Sequence, residues 1–268
     1  MKYLFLLTMF LCMISCKISP QTSKELPDAW HLLWSDEFNY NGLPDSSKWS
    51  YDIGGNGWGN NELQYYTNAD TNNALVQDGS LNIRVKKTQR DNNAYTSARL
   101  ITKNKGDWTN GKIEISAKLP AGRGLWPAIW MLPTDWQYGD WPKSGEVDIM
   151  EHVGFIKDSV FFSIHTEAFN HVIGTQKTKG ILINDLYTSF HVYAIEWDQQ
   201  RINFLLDDSL VYTYSNSGNG YKEWPFDKRF HLLLNIAVGG NWGGQQGVDD
   251  NIFPATMLID YVRVYQKK

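Results

Sequence analysis

Three carboxylates fall within six residues, at Glu146, Asp148 and Glu151 of Gly145-Glu146-Val147-Asp148-Ile149-Met150-Glu151-His152. The residues between them are apolar, the pattern of a strand with one face in a core. Burying an ionised carboxylate is costly, and three so close together imply a task beyond folding. Strict alternation puts Glu146 and Asp148 on one face but places Met150, not Glu151, beside them. One extra residue, a β-bulge near Ile149-Met150, would turn Glu151 onto the acidic face and Met150 into the core. Two glutamates on one face with an aspartate between are the minimum equipment for retaining glycoside hydrolysis. That chemistry needs carboxyls roughly 5–5.5 Å apart, one as nucleophile and one as acid/base. Asp148 would share a proton or hydrogen bond with Glu146, and mutual repulsion would push the pKa values apart.

Two other readings stay open at this point. The stretch could be an exposed strand whose outward acids are merely solvated. It could also be a metal site, since His152 and His165 are near enough in sequence to add imidazoles to the carboxylates. Against the metal, His152 directly follows Glu151 and should point to the opposite face.

The elements that would position these acids are strands. From Trp30 onward, short apolar or alternating runs are punctuated by Gly, Asn and Asp, with almost no helical periodicity. Strands are predicted at 31–34, 81–86, 97–102, 111–118, 125–132, 146–151, 160–165, 191–197, 201–206, 230–238 and 257–265. So many short strands imply an all-β fold of two packed antiparallel sheets. The glycine-rich stretches Gly54-Gly55-Asn56-Gly57-Trp58-Gly59-Asn60-Asn61 and Val238-Gly239-Gly240-Asn241-Trp242-Gly243-Gly244 read as loops carrying tryptophan to the edge of a cleft.

The chain has 268 residues, enough for one domain with a sizeable core, and a formal net charge of -4 with no basic footprint for nucleic acid. Its twelve tryptophans and fourteen tyrosines exceed what a core needs and suit stacking on sugar faces. At the start, Lys2 and the apolar run from Tyr3 to Leu11 are too short to span a membrane and read as a signal peptide, residues 1–15. Met13-Ile14-Ser15-Cys16 resembles a bacterial lipobox, which makes Cys16 the expected lipidation site. Residues 16–28 read as a tether and 29–268 as the catalytic domain, exported and attached to a bacterial membrane only through that lipid. Both cysteines lie before the domain, so it has no internal disulfide.

From Trp34-Ser35-Asp36-Glu37-Phe38 to Asp260-Tyr261-Val262-Arg263-Val264-Tyr265, the chain resembles glycoside hydrolase family 16 and its bacterial laminarinases. The acidic stretch has that group's E-x-D-x-x-E form, and the matching motifs include Trp58-Gly59-Asn60-Asn61-Glu62, Gly124-Leu125-Trp126-Pro127-Ala128-Ile129-Trp130, His165-Thr166-Glu167 and Gly240-Asn241-Trp242. The resemblance implies a concanavalin A-like β-jelly-roll sandwich with a concave cleft, and a monomer acting on β-1,3-glucan without a catalytic cofactor. Glu146 would be the nucleophile, Asp148 its helper and Glu151 the acid/base. Asn60, Glu62, Arg99, Trp126, Trp130, Trp141, His165 and Trp242 would line the glucan. Arg99 and Glu62 also admit a reading as a structural ion pair, and Trp130 one as a core residue. Family members often hold a structural calcium ion, and Glu37, Gly79 and Asp260 stand at the matching places. The same resemblance leaves open an agarase- or carrageenase-like hydrolase, a transglycosylase, and a non-catalytic carbohydrate-binding sandwich.

Overall fold

The computed structural model describes residues 29–267; the signal peptide, Cys16 and the tether lie outside them. Eighteen strands run, in chain order, β1 Trp30–Asp36, β2 Ser50–Asp52, β3 Gln64–Tyr66, β4 Ala74–Gln77, β5 Ser80–Val85 and β6 Tyr95–Ser97. There follow β7 Arg99–Ile101, β8 Asp107–Trp108, β9 Gly111–Lys118, β10 Leu125–Pro133, β11 Glu146–Glu151 and β12 Ser159–His165. The last six are β13 Lys177–Leu182, β14 His191–Trp197, β15 Arg201–Leu206, β16 Ser209–Ser215, β17 Phe230–Val238 and β18 Ala255–Lys267.

They form two large antiparallel sheets and a small parallel pair, β3 with β6. The outer sheet has the order β16-β15-β14-β9-β18-β5-β4, with β1 also paired to β18. The second sheet, which carries the acids, has the order β13-β12-β11-β10-β17-β7-β2, with β8 on β17. This is the expected all-β sandwich. Every predicted strand is present, with one correction: 97–102 is two strands, not one. The chain leaves β6, on the small sheet, and enters β7, on the large one, at buried Ala98. A stretch with no glycine or proline between Ser97 and Thr102 carries no mark of such a change of partner.

Alternation on β10 divides the two faces of the second sheet. Leu125, Ile129 and Met131 join the core between the sheets, while Trp126 and Trp130 are only partly buried and face the other way. On β17, Leu232, Leu234, Ile236 and Val238 enter the same core. Aromatic contacts join the layers, Phe162 to Phe204 at 6.0 Å and Trp197 to Phe230 at 5.7 Å between ring centroids. The face turned away from this core carries the cleft.

Candidate active site

β11 contains the inferred bulge. Against β10, Trp130 pairs with Asp148 but Ile129 with Met150; against β12, Asp148 pairs with Ser163 and Glu151 with Phe161. Both ladders therefore skip one residue between Asp148 and Glu151. Ile149 and Met150 are fully buried in the core, and the three acids border one cleft of about 370 Å³. Gly145 immediately precedes this strand at φ +88, where a Cβ would lie 2.7 Å from Pro225 Cγ, so both backbone and space require glycine.

Each glutamate is held by an indole from a different element. Trp141 Nε1 donates to Glu146 Oε2 at 3.0 Å, and Trp126 Nε1 donates to Glu151 Oε1 at 3.0 Å. Asp148 lies between them, and the expected hydrogen bond from it to Glu146 does not form among the described residues. Instead His165 Nε2 stands 3.4 Å from Asp148 Oδ2 and 3.8 Å from Glu146 Oε1. Cross-strand pairing of Glu146 with His165 puts the imidazole there. His152 is fully buried on the other face, where Nδ1–H donates to the Ser159 carbonyl at 2.7 Å.

Burial, and then the charge of Asp148, pushes Glu146 up to about 8, and the same two causes push Glu151 up to about 8. Burial alone raises Asp148 well above the usual carboxylate range. His165 and the indole N–H groups pull both glutamates part of the way back. Three such acids titrate as one coupled set that retains protons at neutral pH.

The retained protons have a consequence for stability. Between the ordinary value of 4.5 and about 8, the folded chain holds a proton on Glu151 that the unfolded chain has released. The stabilising contribution is complete below 4.5 and is lost as pH rises, by up to ~1.4 kcal/mol per pH unit. Glu151→Gln removes that loss while keeping an acceptor for Trp126. Its melting temperature should match the parent near pH 4.5 and exceed it near pH 8, by ~2–4 °C per kcal/mol. A gap between the two melting curves that does not widen with pH would contradict this account.

Of the other expected substrate contacts, Asn60, Glu62, Arg99, Trp126, Trp130 and Trp141 border the cleft. Trp130 is a cleft residue rather than core, with Nε1 donating to Asn235 Oδ1 at 2.7 Å. Arg99 does not pair with Glu62; its Nε lies 2.9 Å from Asp52 Oδ2, and its guanidinium is sandwiched between Trp58 and Trp130 at 4.8 and 4.7 Å. Glu62 accepts from Gln64 Nε2 at 2.7 Å instead. Trp242 lies outside the cleft lining and packs edge-on against Trp126 at 5.5 Å and Phe161 at 5.1 Å. Its loop is joined to the other glycine-rich loop by Asn61 Nδ2 donating to Asn241 Oδ1 at 2.8 Å.

Trp58 borders the cleft as its glycine-rich loop led one to expect, and the cleft also contains residues that sequence reasoning did not assign to it: Trp136, His171, Val172 and Asn235. Asn235 lies on the predicted strand 230–238, where residue type alone does not mark it for the cleft. Trp136 is different, because it has φ +51, a left-handed backbone that bulky residues rarely adopt. Its ring takes no part in the aromatic contacts found among the described residues. Trp136→Ala should raise KM for glucan roughly 5–30-fold, the equivalent of ~1–2 kcal/mol for one stacking face, with kcat and melting temperature retained. A drop in melting temperature at unchanged KM would make it a packing residue.

The sequence model described as glycosyl hydrolases family 16 matches residues 61–263, all of β3 to β17 and most of the cleft. The chain belongs to glycosyl hydrolase family 16. A beta-glucanase of Rhodothermus marinus is 52% identical over 261 residues, spanning 95% of this chain and 91% of its own. The X-ray structure of the laminarinase from Rhodothermus marinus aligns with a TM-score of 0.87 at 54% identity, over 89% of this chain and 98% of that one. A third relative is SCLam, a non-specific endo-beta-1,3(4)-glucanase, solved in a variant co-crystallized with 1,3-beta-D-cellotriosyl-glucose. It aligns with a TM-score of 0.85 at 43% identity, over 89% of this family 16 chain and 95% of its own. The sandwich described above is thus the family 16 jelly roll.

Proposed function

We propose that this protein is a retaining endo-glycosidase that hydrolyses internal β-1,3 bonds of laminarin-type glucans, with activity extending to mixed-linkage β-1,3-1,4-glucan. The observation that carries this reading is the bulged strand, which turns Glu146, Asp148 and Glu151 into one tryptophan-lined cleft. The glucanase relatives supply the choice of polymer. Product profiling on laminarin, lichenan and agarose tests it. Release of oligosaccharides from agarose but not laminarin would move the enzyme to galactan chemistry, and release from none would leave a binding module.

In this mechanism Glu146 attacks the anomeric carbon through Oε1, because Oε2 is occupied by the Trp141 N–H. Glu151 Oε2 gives its proton to the departing glycosidic oxygen, while Trp126 holds Oε1. Glu151 then takes a proton from the water that releases the glycosyl group. Asp148 and His165 tune the charge on Glu146 without bonding to sugar. The cycle uses the chain's own carboxyls and no cofactor.

A structural calcium ion is part of the same reading. β5 and β1 follow one another along the same edge of β18. The pairings Leu81 with Ile259 and Asp36 with Val262 bring Gly79, Glu37 and Asp260 to the junction. The Glu37 carboxylate is already taken by Arg263 at 2.7 and 2.9 Å, so Glu37 would contribute its carbonyl oxygen. Such an ion would tie two strand ends together, remote from the acids. The protein is further proposed to act as a monomer held at a bacterial membrane by lipid on Cys16. Cys16→Ala should move it from the membrane to the soluble fraction, and an unchanged distribution would end the lipid reading.

A further inference from the structure

We propose that Glu146 Oε1, Asp148 Oδ2 and His165 Nε2 form a site for one transition-metal dication of the Zn²⁺ type, whose binding shuts the enzyme off. Among the described residues this is the group of three whose ligand atoms all lie within 4.8 Å of one another. Donors at 2.0–2.2 Å from a tetrahedral Zn²⁺ are about 3.4 Å apart. The separation of His165 Nε2 from Asp148 Oδ2 is 3.4 Å, and its separation from Glu146 Oε1 is 3.8 Å. Both imidazole separations are thus within about 0.4 Å of that geometry, and the remaining one, between the two carboxylate oxygens, is no more than 4.8 Å, so a small movement of the Glu146 carboxylate completes the site.

The donors are aimed inward. The Asp148 side chain is 3% exposed, and its Oδ2 is buried with no hydrogen-bond partner. A buried carboxyl oxygen with no hydrogen bond is costly, and a cation that displaces the carboxyl proton would relieve it. Trp141 occupies Glu146 Oε2, which leaves Oε1 free on the side of the imidazole. One imidazole nitrogen with two carboxylate oxygens suits Zn²⁺, Co²⁺ or Ni²⁺, whereas Ca²⁺ takes six to eight oxygens. The fourth position opens into the cleft that Glu146 and Asp148 border. His165 Nδ1 has no partner, so the ring lacks the supporting hydrogen bond of a dedicated zinc ligand. Binding is accordingly reversible and weaker than at a structural zinc site.

Occupancy blocks hydrolysis because the cation sits on Glu146 Oε1, the oxygen assigned to attack the sugar. That half of the inference rests on the nucleophile role proposed above; metal binding itself does not. Calorimetric titration of ZnCl₂ into the full chain, previously stripped with chelator, should give one ion per chain. Asp148→Asn and His165→Gln, each checked by thermal melting, should bind about tenfold more weakly or worse. His171→Gln, which alters an exposed imidazole whose ring is 5.2 Å from His165, should keep the parent affinity. With laminarin, Zn²⁺ should raise KM without lowering kcat, and EDTA should restore the rate. Absence of binding overturns the site, as does equal binding in both ligand variants or loss of binding in His171→Gln. A metal-free enzyme inactive on laminarin would instead defeat the functional reading and leave the calorimetric result standing.

Discussion

Glu146→Gln is expected to lower turnover by on the order of 10⁴-fold or more on every substrate, however good the leaving group, because under the proposed mechanism it removes the atom that forms the covalent intermediate. The amide keeps the size of the carboxyl and an oxygen for the Trp141 indole, so the cleft should keep its shape. Loss of rate therefore reads on chemistry, not folding, provided the variant melts cooperatively. The same role fixes the stereochemistry of the native enzyme. Two displacements at the anomeric carbon release the β-anomer first, which proton NMR of the earliest product resolves. Initial release of the α-anomer would mean a single displacement by water, and Glu146 would lose the nucleophile role.

Glu151→Ala should behave differently, and the contrast separates the two glutamates. On laminarin, whose leaving group is a sugar hydroxyl, loss of the proton donor should cost about 10²–10⁴-fold. With an activated aryl glucoside, which departs without a proton, formation of the glycosyl-enzyme should be nearly unaffected. Its breakdown should then stall for want of a base. Truncation leaves a gap beside the Trp126 indole N–H, which is a ready donor for a small anion. Added azide should enter that gap and release a β-glycosyl azide with recovery of turnover. Failure to form the azide adduct, or equal damage on both substrates, would take the acid/base role away from Glu151. Asp148→Asn should fall between the two variants, since it alters the charge next to Glu146 without touching sugar.

What the sequence made legible follows from what local spacing can encode. The bulge was readable because three acids and three apolar residues cannot be sorted onto two faces without it, and both ladders of β11 skip a residue there. His152 was placed correctly by the same parity argument. Partners distant in the chain were not readable. Arg99 pairs with Asp52 because β2 lies beside β7, a pairing no periodicity announces. His165 reaches Asp148 only through the register of β12. Trp136 escaped notice because it stands outside the glycine-rich loops, and its left-handed backbone leaves no mark in residue type.

The position of β18 has a further meaning for how the chain is made. Its thirteen residues lie between β9 on one edge and β5 and β1 on the other, so the middle of the outer sheet is supplied by the last strand among the described residues. Until those residues emerge from the ribosome, β1 has no partner and β5 has only β4. The loop closures that complete the sheet span nearly the whole domain, which makes assembly late and slow. A nascent chain in that condition lacks the strand that joins the two flanks of its outer sheet, so the sandwich locks only once β18 is available to pair.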